Sequence, residues 1–211
     1  MDAAEVERLF TRADGGYLFA RWGRPIVPIV FGVEDATLST VKGAIEAVVT
    51  LAGHKMAETD PELGANLMLF FFRDWDELRH VPGLERMLPD LPALLDRLEA
   101  GGANQYRAFR FDPNGAIRAS FVFLRMDAAL SAVPAETLAL SQAVQAILLW
   151  GETAFDVHPP LARAEGAPVF LRPEIAGVIR AAYDPVLPAQ ARDSSHALRL
   201  AARLAVATPP N

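Results

Sequence analysis

The sequence predicts one largely apolar helix from Pro134 to Gly151, whose interior polar side chains are Thr137, Ser141, Gln142 and Gln145. The last three have the spacing of a zinc-binding helix. Ser141 and Gln145 are one turn apart and share a side of that helix, and Gln142 follows the first of them. In zinc proteases, two histidines at the places of Ser141 and Gln145 bind zinc, and a glutamate at the place of Gln142 activates a water molecule. A hydroxyl and two amides are neither usual zinc ligands nor strong bases. The segment therefore predicts a buried helix with a polar spot that lacks metal chemistry.

The two glutamines allow two interpretations. A buried amide without hydrogen-bond partners costs about 1–3 kcal/mol. In one interpretation, Gln142 and Gln145 bond to neighbouring backbone or lie at a solvated edge. In the other, they form the floor of a polar pocket where a metal site once lay. Glu152 and His158 follow the helix and could reach the same pocket, although a histidine before two prolines is also an ordinary loop residue. The candidate pocket thus comprises Ser141, Gln142, Gln145, Glu152 and His158.

A β-hairpin is the best-defined local feature, with residues 104–111 and 116–125 flanking Asp112-Pro113-Asn114-Gly115. A two-residue Asn-Gly turn would pair Phe111 with Arg118, whereas a type I turn followed by a left-handed Gly115 would pair Phe111 with Ile117. We favour the second register because a slip of one residue would mix the faces of the strands. It places Phe109, Phe111, Ile117, Ala119, Phe121 and Phe123 on one face and Ala108, Arg110, Arg118 and Ser120 on the other.

In this register Arg110 and Arg118 are cross-strand neighbours on the polar face. Like charges so placed repel each other, so the pair is a candidate patch for an anion or an acidic partner. The alternative is that an aspartate or glutamate from a neighbouring helix covers both. The four histidines are dispersed and show no metal-ligand spacing, so no metal or cofactor is expected.

The elements that must position these residues follow an order of strand, helix, strand, short helices, hairpin and then helices only. A continuous apolar run over residues 66–72 predicts a central strand covered on both faces, and prolines around residues 26–31 predict an edge strand. We expect an α+β fold with a mixed or antiparallel sheet of about four strands, in one domain over 1–211. Its core spans about 17–158, and a helical C-terminal part spans about 159–207.

Composition excludes several classes of function. The 211 residues are 52% hydrophobic. They contain no cysteine, which excludes disulfides and thiolate metal sites. Their net charge of −6 disfavours nucleic-acid binding. The apolar runs are far shorter than the roughly 20 residues that span a bilayer. The first residues lack the pattern of a secretory signal. We therefore expect a cytoplasmic protein, or a periplasmic one if a signal peptide was removed.

Three short segments carry a family resemblance: Arg21-Trp22, Gly64-Ala65-Asn66-Leu67 and the stretch 182–188, Ala-Tyr-Asp-Pro-Val-Leu-Pro. Over residues 17–205 the chain resembles an uncharacterised proteobacterial family with a zincin-like domain, the fold of zinc metalloproteases. The resemblance implies that residues 141–145 occupy the place of the zinc-binding motif. Ser141, Gln142 and Gln145 depart from that motif, and this departure indicates a pseudoenzyme.

The function predicted from sequence is therefore a non-catalytic binding or regulatory domain, with a protein or small molecule as its unknown partner. One alternative is a hydrolase with a non-zinc site around Glu152, His158 and the glutamines. Another is an interaction module that forms homodimers through its apolar helices, which agrees with a mean hydropathy of +0.18.

Overall fold

The computed structural model of the chain describes residues 1–156, 159–164, 166 and 168–207. Its strands are β1 (Phe19–Ala20), β2 (Pro28–Phe31), β3 (Leu67–Phe72), β4 (Gln105–Phe111), β5 (Ile117–Arg125), β6 (Leu161–Arg163), β7 (Val169–Leu171) and β8 (Gln190–Ala191). Its helices are α1 (Ala3–Arg8), α2 (Asp35–Leu51), α3 (Leu84–Met87), α4 (Leu91–Ala100), α5 (Ala128–Ser131), α6 (Ala135–Ile147), α7 (Pro173–Ala182) and α8 (Ser195–Ala207). A 3₁₀-helix (Trp75–His80) precedes α3.

The main sheet has four strands in the order β2-β3-β5-β4. The first three are parallel, and β4 is antiparallel to β5. This confirms the predicted α+β fold with a mixed four-stranded sheet. All six residues of β3 are buried, as expected for a central strand, and β2 lies at an edge, where a proline disturbs the hydrogen-bond ladder least.

Each face of the sheet carries its own layer of helices. On one face, α2 and α6 pack against each other, and their apolar side chains share a core with Leu69 and Val122 of the sheet. On the other face, the 3₁₀-helix, α3 and α4 cover Phe70, Phe121 and Phe123. Alternate residues of β3 therefore belong to different cores, which explains why that strand reads as a continuous apolar run.

The hairpin has the predicted pairing of Phe111 with Ile117, but the predicted faces are wrong beyond it. Arg110 pairs with Ala119, so Arg118 is an extra residue in β5 and forms a β-bulge. The bulge reverses the alternation along the rest of the hairpin. Phe109 consequently packs on the α6 side of the sheet, whereas Phe121 packs on the opposite side.

Helix α6 ends at Ile147, earlier than the predicted Gly151. The last carbonyls of a helix have no partner within it, and here aromatic side chains supply the donors. Trp22 Nε1 donates to Ala146 O at 2.9 Å, Trp150 Nε1 donates to Val144 O at 2.8 Å, and the Tyr183 hydroxyl donates to Ile147 O at 2.8 Å. The backbone of Leu148 is extended, and residues 148–150 are buried.

Helices α7 and α8 form near the predicted positions, and α8 packs against both α7 and α1. Two small ladders were not predicted: β1 pairs with β8, and β6 pairs with β7. Side chains of α1, α7 and α8 belong to the same apolar core as those of α6. Within the described ranges, no helix combines the length and apolar character needed to cross a membrane.

Candidate functional site

Helix α6 and the edge strand β4 line two adjoining cavities of about 350 and 460 Å³. Gln105, Arg107 and Gln145 line both of them. Ser141 and Gln142 line the first cavity, and Glu152 lines the second. We call these two cavities together the α6–β4 cleft. Four of the five residues predicted for the candidate pocket therefore line this cleft, and the fifth, His158, lies outside the described residues.

A chain of side-chain hydrogen bonds joins the helix to the strand. The Gln142 amide group donates to Gln105 Oε1 at 2.8 Å and accepts from the Arg107 guanidinium at 2.9 Å. Gln142 is only 1% exposed, so this polar group lies at the floor of the cleft. The Gln142 side chain therefore bonds to side chains of β4, and not to neighbouring backbone or to solvent.

The other helix side chains in the cleft bond to each other. Gln145 donates from its amide nitrogen to Ser141 Oγ at 2.9 Å, and both residues are half-buried. Ser141 thus accepts from an amide that cannot remove its proton, and no general base activates its hydroxyl through this contact. The cleft side of α6 offers hydrogen bonding, without an acid or a base among these three residues.

Arg107 is the residue that sequence reasoning did not assign to the site. It is half-buried, and burial lowers the pKa of Arg107 to about 10, so the guanidinium remains charged at neutral pH. Its Nε is buried without a hydrogen-bond partner. Among the described residues no carboxylate lies within ion-pair distance of this guanidinium, whose one hydrogen bond is the bond to Gln142. The sequence did contain a signal for Arg107. Gln105, Arg107 and Phe109 are two residues apart, so their side chains share one face of the strand, and a buried helix is predicted nearby.

Glu152 lies at the rim of the cleft and is exposed. It forms an ion pair with Arg12 and accepts from the backbone N–H of Ala13 at 3.0 Å. Arg12 also donates to the carbonyl of Trp150 at 3.0 Å. The carboxylate of Glu152 is therefore engaged in joining the segment after α1 to the segment after α6.

Arg110 and Arg118 do not have the predicted relationship, because the bulge pairs Arg110 with Ala119. The Arg118 guanidinium forms an ion pair with Glu62 at 2.9 Å. The Arg110 guanidinium donates to the carbonyl of Met87 at 3.1 Å. The two arginines thus have separate partners, and the prediction that they are neighbours across the strands is wrong.

Two histidines have structural contacts. His54 Nε2 bonds to the carbonyl of Arg24 at 2.8 Å, and His196 Nδ1 bonds to the Tyr17 hydroxyl at 2.9 Å. In the described part of the chain, no three His, Asp or Glu side chains come close enough together to hold a metal ion.

Comparisons with models of known protein families, with curated proteins and with solved structures gave no match to this chain.

Proposed function

We propose that the protein is a non-catalytic binding domain that takes up an extended polypeptide segment along β4, over the α6–β4 cleft. The observation that carries this proposal is the open edge of β4, which pairs with β5 on one side and with no other described strand. An unpaired strand edge is a ready template for another extended chain.

The hydrogen-bond pattern identifies which backbone groups of β4 are free for this role. Asn104 O accepts from the Arg125 N–H at 2.8 Å, so residue 104 faces β5. In an antiparallel pair the facing residues alternate, and therefore Tyr106, Ala108 and Arg110 also face β5. The N–H and C=O groups of Gln105, Arg107 and Phe109 point the other way, towards the open edge. Of these groups, the Phe109 carbonyl already accepts from the Arg110 guanidinium at 3.2 Å.

The side chains of the same three residues line the cleft. A strand added at this edge would therefore place every second side chain over the cleft, where β4 and α6 together provide amide, guanidinium and aromatic groups. Backbone pairing would supply affinity, and the cleft would supply selectivity.

The non-catalytic part of the proposal is supported by the chemistry of the residues in the cleft. Ser141, Gln142 and Gln145 present a hydroxyl and two amides, and their hydrogen bonds with neighbouring side chains occupy them. Glu152, the carboxylate at the rim, is engaged by Arg12. The resemblance to a zincin-like domain, in which residues 141–145 would occupy the place of the zinc-binding motif, agrees with a binding site that lacks that chemistry.

Backbone hydrogen exchange tests the proposal residue by residue. An array of heptapeptides with acetylated N-termini and amidated C-termini first identifies a binder, and two-dimensional NMR then follows amide exchange with and without it. In the free protein we expect the amides of Gln105, Arg107 and Phe109 to exchange much faster than those of Tyr106 and Ala108. The peptide should slow the first three by at least tenfold.

The amides of Tyr106 and Ala108 are the matched control, because β5 protects them in both states. The proposal fails if no peptide binds, or if a bound peptide leaves the amides of Gln105, Arg107 and Phe109 as exposed to exchange as before. Protection of these amides without peptide, growing with protein concentration, would show that a second copy of the chain occupies the edge, and would replace the proposal by homodimer formation.

A further inference from the structure

We infer that Arg107 selects a carboxylate on the bound segment, so that an Asp or Glu side chain of the ligand lies opposite Arg107 in the α6–β4 cleft. This inference rests on the proposed peptide binding and adds the chemistry of the ligand to it. A second, independent observation carries it, namely the unbalanced charge of Arg107.

The guanidinium of Arg107 is poorly compensated by the described part of the protein. Arginine has five N–H donors, and the hydrogen bond to the neutral Gln142 is the one that the described residues accept. Removing a charge from water is costly unless a counter-charge and hydrogen bonds replace the solvent. A planar guanidinium in this condition fits a carboxylate, which can accept two parallel N–H bonds from it.

The position of Arg107 adds direction to this fit. It lines both cavities of the cleft, and its backbone groups point to the open edge of β4. Residues directly opposite each other in antiparallel strands have their side chains on the same face, about 5 Å apart at Cβ. A ligand residue paired with Arg107 therefore presents its side chain to the guanidinium, and its neighbours two residues away face Gln105 and Phe109.

The other arginine of the cleft does not compete for this role. Arg12 is already neutralised by Glu152, whereas Arg107 has no such partner among the described residues. The chain as a whole carries a net charge of −6, which repels an acidic ligand at long range. Selection of a carboxylate therefore depends on the local contact with Arg107.

The experiment compares two versions of the array-selected heptapeptide that differ only by Glu or Gln at the position opposite Arg107, measured by calorimetry. The wild-type protein should bind the Glu peptide at least tenfold more tightly. Arg107→Gln should remove that preference, and Arg107→Lys, which keeps the charge without the planar fork, should retain only part of it. Thermal unfolding of each variant verifies that it is folded.

Gln142→Glu provides a test from within the protein, because it places a carboxylate where Gln142 Oε1 already accepts from Arg107 at 2.9 Å. We expect this variant to lose the preference for the Glu peptide and to melt at a higher temperature. Gln145→Glu is the matched control. It adds the same charge to the same helix and cleft beside Ser141, and it should keep most of the preference even where overall affinity falls.

The possible failures can be told apart. If no peptide binds, the proposed function itself is wrong. If peptides bind and protect β4 but the wild-type protein binds the Glu and Gln versions equally, peptide binding stands and the role of Arg107 is overturned. If Gln145→Glu removes the preference as fully as Gln142→Glu, the selection reflects net charge in the cleft, and the specific contact with Arg107 is again overturned.

Discussion

Two regions of the molecule each contain a partly buried arginine, but in the described part of the chain only one of them provides a carboxylate as its partner. Beside the start of β2, Arg24 forms an ion pair with Asp60 at 3.3 Å, and Asp60 is only 4% exposed. Asp60 also accepts from Asn66 at 3.1 Å and from two backbone N–H groups at 2.9 Å. In the α6–β4 cleft, Arg107 instead bonds to an amide.

The difference between these two arginines indicates that the first region stabilises the fold and agrees with the proposal that the second binds a ligand. Around Asp60 nearly every polar group has a partner, and the result is a rigid connection between the loop over residues 60–64 and the sheet. Around Arg107 the described protein leaves charge and hydrogen-bonding capacity unused, in agreement with the proposed binding of a ligand there. Changes in the first region should therefore cost stability, and changes in the second should cost binding.

The largest effect is expected from Asn66→Ala. The Asn66 side chain is fully buried, accepts from the Val27 N–H at 2.8 Å and donates to the Pro25 carbonyl at 2.9 Å. Its removal leaves several buried groups unpaired, and we expect the free energy of unfolding to fall by about 3–4 kcal/mol in urea denaturation.

Gln145→Ala is the comparison for that variant, because it removes a half-buried amide of the cleft. We expect a loss below about 1 kcal/mol for it. Similar losses in the two variants would contradict the distinction between the two regions.

A smaller effect, dependent on pH, is expected from Asp60→Asn. Burial raises the pKa of Asp60, but hydrogen bonds from Leu63, Glu62, Asn66 and Arg24 outweigh it, so the pKa is lower than that of an exposed aspartate. The ionised form therefore stabilises the fold above about pH 4, and this contribution disappears as the pH falls further. Asp60→Asn should cost about 2 kcal/mol at pH 7 and less at pH 3.

Wild type and Asp60→Asn are compared at each pH, because both also lose stability at low pH for a reason unrelated to Asp60. Burial lowers the pKa of His196 to about 4, so both proteins lose stability as the pH falls from about 6.5 to 4, where the unfolded chain binds a proton and the folded chain does not. An unchanged difference between wild type and Asp60→Asn from pH 7 to pH 3 would show that Asp60 is not held ionised by its neighbours.

The smallest effect on stability is expected from Arg107→Met, which keeps the length of the side chain and removes its charge. Removing a poorly compensated guanidinium favours the fold, whereas the buried Gln142 Oε1 loses its donor. The two effects oppose each other, so the free energy of unfolding should change by less than about 1 kcal/mol. The change should be constant between pH 3 and pH 8, because Arg107 stays charged throughout that range. A loss above 2 kcal/mol would place Arg107 with Asp60 as a structural residue.

Local signals in the sequence predicted much of the fold. The apolar run of β3, the prolines of β2 and the turn before Gly115 each specify their element with residues that lie within it. The pairing of Phe111 with Ile117 followed from turn geometry alone. The bulge at Arg118 did not, because an extra residue in a strand depends on how both faces of the sheet are packed.

The site was predicted only in part, for a related reason. Gln142 stood out because a polar residue in an apolar helix is conspicuous. Arg107 did not, because an arginine in a strand is ordinary until β4 is known to lie beside α6. The early end of α6 likewise depends on Trp22 and Tyr183, which are distant in the sequence from the carbonyls that they bind.

The hydrogen bonds from Trp22 and Tyr183 to the end of α6 have a consequence for truncated versions of the protein. Trp22 and Tyr183 are 161 residues apart in the sequence, yet both donate to carbonyls in the last turn of the helix beneath the cleft. A shortened version that begins after Trp22 or stops before Tyr183 would expose bare carbonyls under the binding surface. The proposed binding site thus depends on residues from Trp22 to Tyr183, and no small excised piece should reproduce it.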